Sequence, residues 1–303
     1  MSQTRGFVTI ATGNRWYYIL ARNLLRSYRT STQAPLPFAI ITDRGNNLTE
    51  LFDRVIILDH PCNSYLDKLG LAEYLPYDET IFIDADCLAY ADLNPLFNIF
   101  HGASDVSCFG MTEPLREQNA GWFSLQTFPE EAQDGKTLLT RAAATAALPY
   151  SVGMHGGLMY MRKTERTARV FSDALGFAEN YTHYNFKLFE KPADEPVLAL
   201  SMALHHCQPV PYERFNLCCF WTCKAPKLDM YHQKARRRNG CSISLLHWGT
   251  RHTQTPLYKK QIDQLNMRIQ GASIATVFRT NCINNFWILR YRLKRKWRKL
   301  TKR

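Results

Sequence analysis

The chain predicts an α/β fold, a mostly parallel central sheet with helices on both faces. Three observations lead there. Short apolar runs at 7–11, 38–42, 55–58 and 81–83 alternate with helical spacing over 16–28 and 66–75. Strand and helix signals alternating at this distance mark βα units. The fourth apolar run stops abruptly in carboxylates, at the end of a strand where open sheets bind ligands. With 46% hydrophobic residues in 303, the chain can bury one large core or two small ones.

Each element has a local reason. Residues 7–11 read as a strand, and Thr12-Gly13-Asn14 turns the chain into a helix from Trp16 to Tyr28. Pro35-Leu36-Pro37 precedes a second strand, 38–42, which ends at Asp43. A short acidic helix over 48–52 leads to a third strand, 55–58, and the helical spacing of 66–75 stops before Pro76. From Met111 to Ser151 the periodicity loosens, as expected of an insertion or lid rather than sheet. A strand returns at 156–161, followed by a helix at 164–178 and another opened by Asp194-Glu195-Pro196 and running to Leu204. The last strand, 242–246, ends at His247-Trp248-Gly249. Residues 1–270 read as one domain and 271–303 as a separate tail.

Ile81-Phe82-Ile83 runs straight into Asp84-Ala85-Asp86. Residues two apart in an extended chain point to one side, so the two acids converge if strand geometry continues through the motif. Two hard oxygen ligands suit Mg²⁺ or Mn²⁺ better than zinc, and such an ion bridges to a diphosphate. The alternative is a strand ending in a solvated acidic turn.

Nine of the net twelve positive charges lie between Arg290 and Arg303, a stretch without an acid. The basic character is therefore a tail property. Phe286, Leu289, Leu293, Trp297 and Leu300 follow at steps of three or four, giving one apolar helical stripe with basic residues around it. That pattern fits a helix lying on an anionic membrane surface. A helix docking its stripe on the domain and a nucleic-acid tail are the alternatives. The nine cysteines form no disulfide framework, an odd count that fits reduced thiols. With no signal peptide and no apolar run long enough to span a bilayer, the expected location is cytoplasmic, peripheral on the inner face of the membrane. Cys218-Cys219-x-x-x-Cys223, with Cys207 and His205-His206, lacks the paired spacing of a zinc site. Arg236-Arg237-Arg238 reads as an exposed loop or a contact for an anionic acceptor.

The run Phe82-Ile83-Asp84-Ala85-Asp86-Cys87-Leu88, with Asp92-Leu93-Asn94-Pro95-Leu96-Phe97, resembles the metal-binding region of family 8 retaining glycosyltransferases. These are nucleotide-sugar enzymes of the GT-A fold. The likeness follows in order from Phe7 to about Tyr258. It implies that Ile10, Ala11 and Thr12 line a nucleotide base on which Trp16 stacks, and that Lys68 reaches the donor. It implies a metal site of Asp84, Asp86 and His247, with Ala85 between the two acids. Asp194 and Glu195 fall beside the transferred sugar, and Gly249 and Arg251 fall in the closing motif, with Arg251 as a diphosphate cation. His155-Gly156-Gly157 stands where the family has Asn-Ala-Gly, as a donor contact. Glu195 stands where the family has Gln, and the closing pattern is one residue short. Read without the resemblance, Trp16 is a core aromatic, His247 a hydrogen-bonded structural residue, Lys68 a solvated helix residue, and Asp194 with Glu195 a helix cap.

The expected activity is Mn²⁺- or Mg²⁺-dependent transfer of a hexose from a UDP-sugar to a glycan or glycolipid hydroxyl, with retention of configuration. A sugar-1-phosphate nucleotidyltransferase is the nearest alternative, but no glycine-rich, Lys/Arg-bearing N-terminal loop supports it. A nucleic-acid-binding protein is another. Against it, aromatic and basic residues gather at one end rather than along a sheet or recognition helix, so no nucleic-acid partner is expected.

Overall fold

Strands that are buried on both faces need a near-continuous apolar sequence, and the central strands have it apart from Thr9, Glu79 and Thr80. In the computed structural model, which describes residues 4–114, 150–181, 193–223 and 226–300, β1 (Arg5–Ala11) pairs in parallel with β2 (Phe38–Thr42) and with β4 (Glu79–Ile83). β3 (Arg54–Ile57) extends the sheet beyond β2, also in parallel. β7 (Tyr150–Arg162) runs antiparallel to β4 and to β6 (Val106–Pro114), and β8 (Val210–Pro211) adds in parallel to β6. The order is β3-β2-β1-β4-β7-β6-β8, so the α/β class with a mostly parallel sheet holds.

The chain divides into two compact units. The first takes Met1–Arg22, Leu36–Ala85 and Asn94–Phe215, and the second Asn23–Pro35, Asp86–Leu93 and Asn216–Arg303. In the first, alternate residues face opposite sides of the sheet. Val8, Ala39, Ile41, Phe82 and Met159 join one core with Leu69, Val170, Phe171, Val197 and Leu198. Those five come from the helices Leu66–Leu69, Glu165–Glu179 and Asp194–Leu204. On the other face Phe7 packs edge-on against Phe97 of the short helix Leu96–Ile99, 5.3 Å between centroids. Thr164 caps the helix Glu165–Glu179 by accepting from Thr167 N at 3.2 Å.

Several elements differ from expectation, each for a local reason. The first helix is longer than expected, Arg15–Ser31. Residues 48–51 form a turn rather than a helix, because the side chains of Asn46 and Thr49 bond to nearby backbone and compete with helical pairing. The helical stretch 66–75 breaks at Gly70 into Leu66–Leu69 and a 3₁₀ turn, Leu71–Tyr74. Met111–Pro114 belongs to β6, Tyr150 and Ser151 belong to β7, and the rest of the expected insertion lies outside the described residues. The return strand is correspondingly longer than 156–161. β4 ends at Ile83, and Ala85 and Asp86 form a turn. Strand alternation therefore does not carry through the two acids, which corrects the geometric premise for their convergence.

In the second unit β12 (Leu245–His247) lies between β5 (Cys87–Ala89), antiparallel, and β9 (Leu217–Cys219), parallel. β10 (Lys227–Asp229) and β11 (Lys234–Arg236) make a separate antiparallel ribbon. Thr255 caps the helix Pro256–Ile269, whose proline sits at the first position. The long helix Ile274–Leu300 packs on it through buried Val277 and Asn284. Gln264 Nε2 donates to Asn281 Oδ1 at 2.9 Å, and Asn284 Nδ2 to Asp263 Oδ2 at 3.0 Å. This face is not the apolar stripe. Phe286, Leu289 and Leu293 are 60%, 57% and 59% exposed, so these stripe residues are not packed against the described residues of the second unit. The side chains of Trp297 and Leu300 lie outside the described residues. Among the described residues no helix is long and apolar enough to cross a membrane.

Candidate functional site

The strand order creates a switch point. β2 and β3 lie to one side of β1 and β4 lies to the other, and in open α/β sheets ligands bind outside the carboxyl ends of the strands at such a reversal. Thr12 follows β1 and Asp84 follows β4 at that edge. The antiparallel pairing that sets Leu158 opposite Ile83 brings His155, Gly156 and Gly157 of β7 to the same edge.

Lys68 ties these pieces together. Its ammonium lies 2.5 Å from Asp194 Oδ2 and 3.4 Å from Asp84 Oδ1. It also donates to the Gly156 carbonyl at 2.6 Å and sits 4.9 Å from the centre of the Phe82 ring. Burial works against its charge, but Asp194 and then Asp84 outweigh that and raise its pKa. The side chain is buried and charged, not a solvated helix residue.

Glu195 accepts from Gly156 N at 2.8 Å. Burial, and next the charge of Asp194, push its carboxyl up to about 7. A Cβ on Gly156 would lie 2.7 Å from Glu195 Cγ and 3.3 Å from Lys68 Nζ, so any side chain there forces the cluster to move. Gly156 and Glu195 therefore pack directly on each other.

An unfolded glutamate titrates near 4.5 and the folded one near 7. Between these values the folded state holds the extra proton, so Glu195 lowers stability progressively as pH rises through that window, by about 3 kcal/mol at most. Glu195→Gln is expected to flatten the fall in Tm between those two pH values. An unchanged slope would mean that the carboxyl is not held protonated.

Asp67 escaped the sequence reading. It is buried, and it accepts the Thr12 hydroxyl at 2.7 Å and Cys62 N at 2.6 Å. It thereby fastens the helix that carries Lys68 to the end of β1. Its only signal in the sequence is its place beside Lys68. His155 is buried, and its Nδ1 accepts from Gly157 N at 3.0 Å. Gly157 O in turn accepts from Asp84 N at 2.9 Å. Ala11 is buried, and Ile10 and Trp16 are half-buried, the latter in the first turn of its helix with Trp16 N on Asn14 Oδ1 at 2.9 Å.

A second cluster belongs to the second unit. His247 Nε2 lies 3.0 Å from Asp86 Oδ1, and Thr250 Oγ1 donates to Asp86 Oδ2 at 3.2 Å. Trp248 N donates to the Asp86 carbonyl at 3.1 Å. Burial would raise the Asp86 pKa, but His247 and the Thr250 hydroxyl hold it below the usual carboxylate value. Ligand atoms of Asp86, Cys87 and His247 all lie within 4.8 Å of one another. A carboxylate and an imidazole suit Mn²⁺, whereas the thiol suits a softer ion. Trp221 meets His247 edge-on at 5.0 Å, and Gly249 has φ 70° with the Trp221 ring 3.0 Å from where a Cβ would stand. Arg251 is exposed on the short helix Thr250–Thr253. Thr250 and Trp221 were not foreseen.

Of the residues singled out in the sequence, the first unit gathers Thr12, Lys68, Asp84, Gly156, Asp194 and Glu195. The second unit gathers Asp86 and His247, with Gly249 and Arg251 following in the chain.

No protein-family model matches the chain, and no curated protein matches it. Among solved structures it is similar to the glycosyltransferase GlyE of Streptococcus pneumoniae TIGR4, at 11% identity and a TM-score of 0.44. That match covers 69% of this chain and 45% of the other, so the chain spans less than half the length of that protein.

Proposed function

We propose that the chain is a glycosyltransferase that moves a hexose from a UDP-sugar to a hydroxyl of a glycan or glycolipid, with retention of configuration. The observation that carries this reading is the cluster of Lys68, Asp84, Asp194 and Glu195 at the carboxyl edge of β1 and β4. In this reading Ile10, Ala11, Thr12 and Trp16 receive the nucleotide. Lys68 holds the Asp194 carboxylate in place, where its charge favours positive character developing at the anomeric carbon. Glu195, anchored on Gly156 N, orients the sugar.

Mn²⁺ or Mg²⁺ would be held by Asp86 and His247, which lie together in the second unit. When bound, such an ion supplies positive charge to the departing diphosphate. The test is thermal shift with UDP-glucose, UDP-galactose and their N-acetyl forms, with and without Mn²⁺. A ligand at a hundred times its Kd adds about 2.7 kcal/mol, so one donor should raise Tm by several degrees with the metal present. No response to any of them would sink the reading.

The exposed Phe286, Leu289 and Leu293 and the basic tail support attachment to an anionic membrane face. Each Lys or Arg near such a surface contributes about 1 kcal/mol. The full chain should sediment with phosphatidylglycerol vesicles and not with phosphatidylcholine. Leu289→Asp with Leu293→Asp should abolish that, and retention of binding by this variant would remove the stripe from the account.

A further inference from the structure

The second unit carries a cavity of about 400 Å³ lined by Cys218, Thr222, Cys223, Arg237, Arg238 and Asn239. None of these residues is assigned to the donor, the metal or the transferred sugar, and the sequence offers the arginine run only as an exposed loop or a contact for an anionic acceptor. Two are cationic and none is acidic. The rim is a closed turn rather than a loose loop. Arg237 N donates to Cys241 O at 2.8 Å, Gly240 N to Arg237 O at 2.9 Å, and Cys241 N to Asn239 Oδ1 at 3.2 Å. Gly240 takes a φ of 89°, open to glycine at little cost. Arg237 is itself anchored, with Nη2 donating to Leu217 O at 2.7 Å. Cys218 adds no anion to the lining, because burial and then its contact with the Cys223 thiol push it up to about 12.

We propose that this cavity is an oxyanion site that takes a phosphate monoester, with the guanidiniums of Arg237 and Arg238 as its recognition groups. A planar guanidinium matches phosphate oxygens in pairs, which an ammonium cannot do. Arg237 keeps further N–H groups beyond the one on Leu217, and its anchor spares part of the ordering cost on binding. Thr222 spends its proton on Cys219 O at 3.0 Å, so Asn239 supplies the amide donor. The site stands independently of the transfer reaction.

Cys223 serves as a reporter inside the cavity, and exposed Cys62 and Cys282 serve as references. The experiment alkylates the full chain with iodoacetamide, a neutral reagent, and follows each cysteine by peptide mass spectrometry. Inorganic phosphate is compared with potassium chloride at matched ionic strength. Phosphate should slow Cys223 several-fold and leave Cys62 and Cys282 unchanged. Arg238→Ala should raise the phosphate concentration needed by about tenfold, since losing one charge-assisted contact is worth at least that factor. Arg238→Lys should fall between. Arg238 is the residue to change because Arg237 also holds the Leu217 carbonyl. Equal slowing of all three cysteines, or full protection in Arg238→Ala, overturns the site. Glycerol phosphate and vesicles containing phosphatidic acid then separate the sources. Protection by the first assigns a soluble ligand and by the second a lipid headgroup, while protection by neither overturns the monoester class.

Discussion

Lys68→Met is expected to destabilise the first unit by about 2–3 kcal/mol. It leaves the Asp194 carboxylate without its cation at 2.5 Å and the Gly156 carbonyl without its donor at 2.6 Å. Removing one partner of a buried pair costs about 3–5 kcal/mol. The acids here keep 18% and 26% side-chain exposure, which places the loss at or below the lower end of that range. Thermal unfolding measures it, as a fall in Tm of at least about 5 °C for a unit of this size. Adding Asp194→Asn to Lys68→Met should recover part of the loss, because the unpaired charge is then gone. That double-mutant cycle separates the pair from the packing of the lysine stem. If Lys68→Met costs under about 1 kcal/mol, or the second change restores nothing, Lys68 does not hold the cluster together.

Asp86→Ala is expected to abolish Mn²⁺-dependent hydrolysis of the UDP-sugar, lowering its rate about 100-fold or more. Activity alone would not separate a ligand from a residue that merely positions His247, since the two side chains lie 3.0 Å apart. The discriminating readout is the Tm with and without Mn²⁺. The parent should gain stability on adding the ion, and Asp86→Ala and His247→Ala should gain none. Thr250→Ala removes only the 3.2 Å hydrogen bond to Asp86, so it should weaken the Mn²⁺ response without eliminating it. A full Mn²⁺ response in Asp86→Ala would make the Asp86–His247 contact purely structural.

The central strands were legible because their cause is local. The apolar runs at 38–41 and 81–83 leave no polar face for water, so a doubly covered sheet accommodates them. The helix Asp194–Leu204 was legible in the same way, with two acids in its first turn where the helix dipole favours them. The failures at 48–52 and 66–75 lie where short-range polar bonds or a single glycine compete with weak helical periodicity. The tail's helical character was readable as well. The face it buries was not, because Asn281 and Asn284 pack on the partner helix in preference to the more apolar stripe.

The sequence by itself determined the α/β class, the carboxylates at the end of the fourth strand and the basic amphipathic end of the chain. All of these follow from the order and spacing of residue types. Only the tertiary structure decided that Lys68 is a buried ion-pair partner rather than a surface cation, and that Asp67 secures its helix to β1. It also set Asp86 3.0 Å from His247, 161 positions further along the chain, a proximity that the resemblance implies but that no spacing in the sequence shows. The physical reason is that ion pairs and hydrogen bonds depend on distances of a few ångströms. Those are set by strand order and pairing register across the whole chain, and periodicity within any one segment carries no trace of them.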